Sequence, residues 1–425
     1  LGHRSRRPFI LLALVVFAAP NPAAAIESIR VDLRTPGRPA RRAGAGLNWG
    51  VTRILPDDAT LAQLRPLVVR QPASLDGEHG DLGALDVLPR ARAAGIHHVE
   101  AELRELLPGY PPSWLGLDEW RQRVTAFVAR KVDEADDDVW YEPWSEPDRD
   151  PPPAWDHMGG YPAFWKLTFD QLREADAAAV VVGPGWSGWS REAFQDTLGW
   201  MRDSNALPDV LSWSEKGSPT EIEAHVADCR ALLGAMGIEE RPIALAEYAS
   251  PAQKLTPGAL VRYLAAIERA RVAYASLAAA GGDLGSTSRL LVGDTPRAAF
   301  WAWRWYVTMR GEISVTVPTE SGGVAIVDVE PDAAQIRILV AGGQASLSLT
   351  GIAGIMGPAV GNLVHTRVEL APDIEEPLRT PQILVDGDRA LSAGALVVDI
   401  PQDQAGAALV TLTPSALRAS RRRPY

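Results

Sequence analysis

The chain has 425 residues, 46% of them hydrophobic, enough for one α/β barrel of about 250 residues and a smaller second domain. A formal net charge of −11 argues against nucleic-acid partners, and the only basic run, Arg421-Arg422-Arg423, reads as a solvated tail over residues 419–425. A single cysteine, Cys229, excludes an intramolecular disulfide and a thiolate metal cluster; it falls at helical spacing with Ile222, Val226 and Leu233, so a buried core position is expected.

Residues 1–25 read as an export signal: Arg4, Arg6 and Arg7 precede an apolar run from Phe9 to Ala19, and Ala23-Ala24-Ala25 supplies a small-residue cleavage site. Ser5-Arg6-Arg7-Pro8-Phe9-Ile10 fits a twin-arginine route as well as the general secretory one, so a periplasmic or extracellular location is expected. No later stretch approaches about 18 continuous apolar residues, which predicts no stable membrane insertion. Residues 26–43 hold a predicted strand, Glu27 to Leu33, and a Pro/Arg/Gly-rich linker from Thr35 to Gly44. That strand precedes the main domain and is expected to complete a sheet near the C-terminus.

Over residues 44–311, short apolar runs alternate with longer amphipathic ones, the pattern of a parallel sheet with crossover helices. The predicted strands are Gly46 to Trp49, Leu67 to Gln71, His97 to Leu103, Val139 to Trp144, Ala179 to Gly183, Asp209 to Trp213, Ile243 to Glu247 and Val272 to Ala279. Eight β-α units in succession favour a closed (β/α)8 TIM barrel over an open doubly wound sheet. One helix is marked by its ends, with Ser218 as N-cap, Pro219 in the first turn and Gly237 at the close. Past a tryptophan-rich helix near Pro296 to Met309, residues 312–418 change to short alternating strands, predicting an antiparallel β-sandwich. These are Val324 to Val329, Gln335 to Val340, Ala345 to Leu349, Leu363 to Leu370, Leu396 to Ile400 and Ala408 to Leu412.

Chemistry concentrates at two predicted strand ends. The fourth strand runs through Val139-Trp-Tyr-Glu-Pro-Trp-Ser-Glu-Pro-Asp148 and places Glu146 at the C-terminal face, where barrels build their sites. The seventh, Pro242-Ile-Ala-Leu-Ala-Glu-Tyr248, is apolar until Glu247. Two carboxyl groups about 5–5.5 Å apart serve retaining glycoside hydrolysis, one as acid/base and one as nucleophile; for either glutamate alone a strand-end salt bridge is the plain alternative.

These residues resemble those of the clan A barrel glycosidases, which carry an acid/base glutamate after the fourth strand and a nucleophile glutamate ending the seventh. Tyr141-Glu-Pro-Trp-Ser-Glu-Pro-Asp148 is similar to the signature of glycoside hydrolase family 39, and Val182-Gly-Pro-Gly185 and Tyr161 to Leu167 match its fifth strand and the helix before it. The resemblance implies an O-glycosyl hydrolase with an oligo- or polysaccharide substrate and no cofactor, Glu146 as acid/base and Glu247 as nucleophile. It also implies that Arg70, ending the second strand, lies beside the nucleophile; a structural ion pair with Glu142 is the alternative. Ser145 stands where the family has a sugar-gripping asparagine, Ser214 where it has a histidine, and Pro72 where it has a second one. Those departures keep open a catalytically impaired carbohydrate-binding barrel, and the same two carboxylates would serve a transglycosylase. Trp49, Trp144, Trp186, Trp189 and Trp213 fall at or beyond strand ends, and indole faces stack on sugar rings; with Tyr248, beside Glu247, all but Trp189 are taken as candidate substrate contacts. Trp301, Trp303 and Trp305 are expected to pack a helix core. No metal site is expected, because His97 and His98 are adjacent on a strand and point to opposite faces. Gly183-Pro184-Gly185 and Gly281-Gly282 lack the spacing and lysine of a phosphate loop. Oligomeric state is not legible in the sequence.

Overall fold

The computed structural model describes residues 26–75, 79–109, 112–134, 138–151, 155, 159–279, 285–357 and 362–415. The expected export signal, the basic tail and Gly281-Gly282 lie outside the described residues. No described helix is long and apolar enough to cross a membrane.

Eight parallel strands form one sheet: Gly46–Asn48, Val68–Pro72, His98–Glu102, Val139–Glu142, Val182–Trp186, Val210–Glu215, Ile243–Tyr248 and Tyr274–Leu277. Each pairs with its neighbour in chain order, the eighth pairs with the first, and a parallel bridge from Tyr141 to Val181 closes the ring between the fourth and fifth. A helix follows each strand, from Asp58–Leu64 to Ala298–Val307. The predicted cap holds: Pro219–Ala235 starts from Ser218 in a capping box with Glu221, and Gly237 adopts a φ of +65° just past its end. Cys229 is fully buried on that helix.

Two of the eight strands depart from the expected course. The fifth starts at Val182, three residues after the predicted Ala179, because side chains take over the backbone before it. Asp209 accepts from the Val181 amide at 2.7 Å, and Asp176 from Ala178 at 3.0 Å. The seventh carries an irregularity: Leu245 stands opposite Trp213, but the next pair is Glu247 with Ser214. Strand alternation from inward Ala244 would turn Glu247 outward. The extra residue reverses that, aiming Glu247 into the barrel and Tyr248 into the helical layer.

The barrel interior is layered. At the N-terminal end, Val68, Val182, Val210, Ala244 and Tyr274 form an apolar plug with Trp140, and the His98 ring stacks on Trp140 at 3.6 Å. One pleat higher the lining is ionic, with Arg70, Glu100 and Glu142 almost wholly buried. The next pleat is the barrel mouth.

The C-terminal region packs a three-stranded sheet against a seven-stranded one. Glu27–Asp32 joins the smaller sheet as a parallel neighbour of Ala345–Thr350. In the larger sheet, Ala325 and Val327 face the sandwich core while Val324 and Ile326 face the barrel's helices, so its centre is buried on both sides. Three strands of this larger sheet escaped the sequence reading: Arg38–Pro39, Glu312–Val315 and Gln382–Ala390. The last is an edge strand exposed along most of its length, so no buried face imposes an alternating pattern.

Candidate active site

The barrel mouth opens into a cavity of about 830 Å³ whose wall includes Asn48, Trp49, Arg70, Ser145, Glu146, Lys216 and Glu247. Residues from seven of the eight strand ends or the loops after them contribute to it.

Glu146 reaches the cavity on a strained turn. Its φ is +53°, a left-handed conformation that costs a non-glycine residue about 1–2 kcal/mol. Its amide donates to the Gly185 carbonyl at 2.8 Å. Gly185 has no room for a side chain, since a Cβ there would lie 2.6 Å from the Trp144 carbonyl oxygen and 2.9 Å from Glu142 Oε1. Trp144 anchors the turn from behind, fully buried among Trp120, Trp155 and Phe164. The carboxylate is 8% exposed as a residue; Oε1 accepts from Ser214 Oγ at 3.3 Å and from Lys216 Nζ, and Oε2 faces Arg149 Nη1 at 3.3 Å.

Glu247 faces it across the mouth. Oε1 accepts from Asn48 Nδ2, and Oε2 pairs with the same Lys216 ammonium. One nitrogen in contact with both carboxylates sets their nearest oxygens within about two hydrogen-bond lengths, roughly 5–6 Å. That span suits a retaining pair rather than the wider inverting one.

Arg70 is buried beneath them. It pairs with Glu102 at 2.7 Å, Glu100 at 3.1 Å and Glu142, and donates to Asn48 Oδ1 at 3.2 Å. Both placements of Arg70 therefore meet in one residue: it donates to Glu142 and reaches Glu247 through Asn48. Burial pushes the Glu142 carboxyl up to about 8 against the pull of Arg70, with Glu100 and Glu102 adding to the rise. Burial is the largest single influence on Glu146 and works to raise it, but the charge and hydrogen bond of Lys216, with Arg149 and Arg70, together outweigh it and hold that carboxyl below its usual range. The two glutamates reciprocate, holding the Lys216 ammonium above its usual range against the effect of burial.

Of the expected substrate contacts, Trp49 and Ser145 line the cavity, and Ser214 touches Glu146. Trp49 has a φ of +58° and donates to Glu102 Oε1 at 3.1 Å. The Ser145 carbonyl accepts from Arg104 Nη1 at 3.0 Å. Trp144, Trp213 and Tyr248 are placed otherwise, each fully buried outside the cavity. Trp213 donates to Glu215 at 2.6 Å and packs on Trp189 and Phe194, while the Tyr248 hydroxyl donates to the Gly44 carbonyl at 2.8 Å. Trp186 is half-buried against Tyr161 and lines no part of the cavity. An indole at a strand end fills the strand–helix layer as readily as the mouth, and residue type does not separate the two.

Asn48 and Lys216 were missed, although each stands at or just after a barrel strand. The rule that found the glutamates, applied to every strand end, would have found both.

No family model matches the chain. Over 165 residues it is 27% identical to a 3-O-α-D-galactosyl-α-L-arabinofuranosidase of Bifidobacterium longum subsp. longum; the match covers 36% of this chain but 14% of that much longer protein. Among solved structures, protein N2152 of Neocallimastix frontalis superposes with a TM-score of 0.82 at 25% identity, covering 92% of this chain and all of the other. A GH39 β-xylosidase of Caulobacter crescentus gives 0.60 at 16% identity, covering 91% of this chain and 100% of its own. The chain thus has the barrel-plus-β-domain fold of the clan A glycoside hydrolase structures, and its resemblance to family 39 agrees with its structural neighbours.

Proposed function

We propose that the protein is a retaining glycoside hydrolase in which Glu146 protonates the leaving oxygen, Glu247 attacks the anomeric carbon to form a glycosyl-enzyme, and Glu146 then takes a proton from the incoming water. The observation that carries this reading is the convergence of two strand-end carboxylates on one ammonium inside the cavity at the barrel mouth. Around them the supports divide the labour. Asn48 fixes the attacking carboxylate, since its amide donates to it. Ser214 orients Glu146, and the partly exposed Trp49 offers an indole for a sugar ring to rest on.

The substrate class we infer is a saccharide ending in a pentose, with an α-L-arabinofuranosyl linkage first among the candidates. The relative named as a 3-O-α-D-galactosyl-α-L-arabinofuranosidase, whose arabinofuranosyl unit is itself substituted, and the β-xylosidase neighbour support a pentosyl linkage. Ser145 reaches less far than asparagine toward the sugar 2-hydroxyl, leaving room for a substituted ring.

The test is turnover of phenyl α-L-arabinofuranoside, alongside phenyl β-D-xylopyranoside, by wild type, Glu146→Gln and Glu247→Gln. Each substitution should lower kcat by about 10²–10⁴-fold or more, the range for loss of a positioned proton donor or nucleophile. Wild-type-like turnover in either variant contradicts the assignment.

A further inference from the structure

One ammonium group occupies the space that the reaction needs. Lys216 directly follows the sixth strand, and its Nζ touches Glu146 Oε1 and Glu247 Oε2 at once. In a two-glutamate displacement the acid must reach the glycosidic oxygen and the nucleophile the anomeric carbon bonded to it, each at about 3 Å. A cation in contact with both carboxylates competes with the substrate for those two oxygens. The lysine bridge and a productive complex therefore call on the same two carboxylates.

The backbone around Lys216 is pinned on both sides. Ser214 is paired with Glu247 in the sheet, and Glu215 accepts from Trp213 at 2.6 Å and from His225 at 2.7 Å. The Gly217 carbonyl accepts from the Tyr263 hydroxyl, and Ser218 is committed to capping the next helix. What can yield is the side chain, a flexible four-carbon stem with a rotating head, 24% exposed toward the open cavity.

Resting on the assignment of the two glutamates, we propose that Lys216 is a positioning residue that bridges the two carboxylates and is displaced onto a hydroxyl of the saccharide when it binds. The displacement has a consequence for the proton. Glu146 must be protonated to act as acid, yet with the lysine in place it is held in the ionised form. The groups that face it are Ser214 from the sixth strand, Lys216 just after it, Glu247 from the seventh strand, Arg149 from its own turn and, farther off, Arg70 from the second strand. Lys216 is the strongest attraction among them. Its departure lets burial raise the carboxyl, so the bound sugar itself prepares the acid.

The experiment is the pH dependence of kcat/KM and kcat for hydrolysis of phenyl α-L-arabinofuranoside, whose poor leaving group makes protonation count, by wild type, Lys216→Met and Lys216→Gln. The basic limb of kcat/KM reports the acid in the free enzyme, and that of kcat the acid in the complex. In wild type the kcat limb should lie at the higher pH. Removing the ammonium should move the kcat/KM limb up by about 1–3 pH units, the usual effect of one close opposite charge, while the kcat limb stays in place. A kcat/KM limb that does not move overturns the proposal. So do two limbs moving together, which would keep the lysine on Glu146 in the complex, and a loss of kcat as severe as that of Glu146→Gln. Unimpaired turnover in Glu146→Gln would instead remove the assignment beneath it, a separate and recognisable outcome. Lys216→Gln keeps the hydrogen bonds without the charge and reads the same limbs if the methionine variant fails to fold.

Discussion

Arg70 is a single cation surrounded by three buried glutamates, and electrostatics alone does not let all three ionise. Glu142 holds its proton up to about 8, whereas in an unfolded chain the same carboxyl releases it near 4.5. Between those values the folded state binds the extra proton, so the Glu142 contribution to stability is whole at low pH and is lost as pH rises through that window. Glu142→Gln keeps the shape and an acceptor for Arg70 while deleting the titration. Urea midpoints measured from pH 5 to 8 should therefore fall more steeply for wild type than for Glu142→Gln; parallel curves would contradict the protonated state. At this scale the sequence was informative where strand position coincided with residue type, as for Glu146 and Glu247. It was least informative for tryptophan, because Trp144 and Trp213 serve packing from positions that look no different from that of Trp49. Asn48 and Lys216 carry no motif, and their importance comes from what the barrel brings opposite them.

At the scale of elements, the eight barrel strands were legible because their apolar runs alternate with amphipathic helices, and the structure reproduces all eight with end shifts of a few residues. The irregularity in the seventh strand was not legible. It depends on register against its two neighbours, yet it decides whether Glu247 points into the barrel. The junction between domains was equally hidden. Gly258, in the first turn of Pro257–Ala270, donates to the Ala405 carbonyl at 2.7 Å, and a Cβ there would sit 2.6 Å from the Gly406 carbonyl oxygen. Backbone cannot swing away as a side chain can, so Gly258→Ala should destabilise the protein by about 1–3 kcal/mol through overpacking, measured by denaturant unfolding. Unchanged stability would mean that the β-domain loop yields freely at this contact.

For the whole molecule, the division of work is clear from where the cavity lies. Among the described residues, every one that lines it falls between Asn48 and Ala279, while the β-domain is joined to the barrel's outer helices. Trp301 donates to the Leu378 carbonyl at 2.6 Å, Arg262 donates to the Gly322 and Gln404 carbonyls, and Lys254 pairs with Asp373 at 2.8 Å. These contacts join the β-domain to the barrel that carries the two glutamates, and the strand Glu27–Asp32 ties the start of the described chain into the β-domain. The most direct test of the central claim is covalent trapping with a 2-deoxy-2-fluoro arabinofuranosyl donor, followed by intact mass and peptide mapping. The account predicts an added mass of one fluorosugar on the peptide containing Glu247 and hydrolysis with retained anomeric configuration; a label on another residue, or an inverted product, would contradict it.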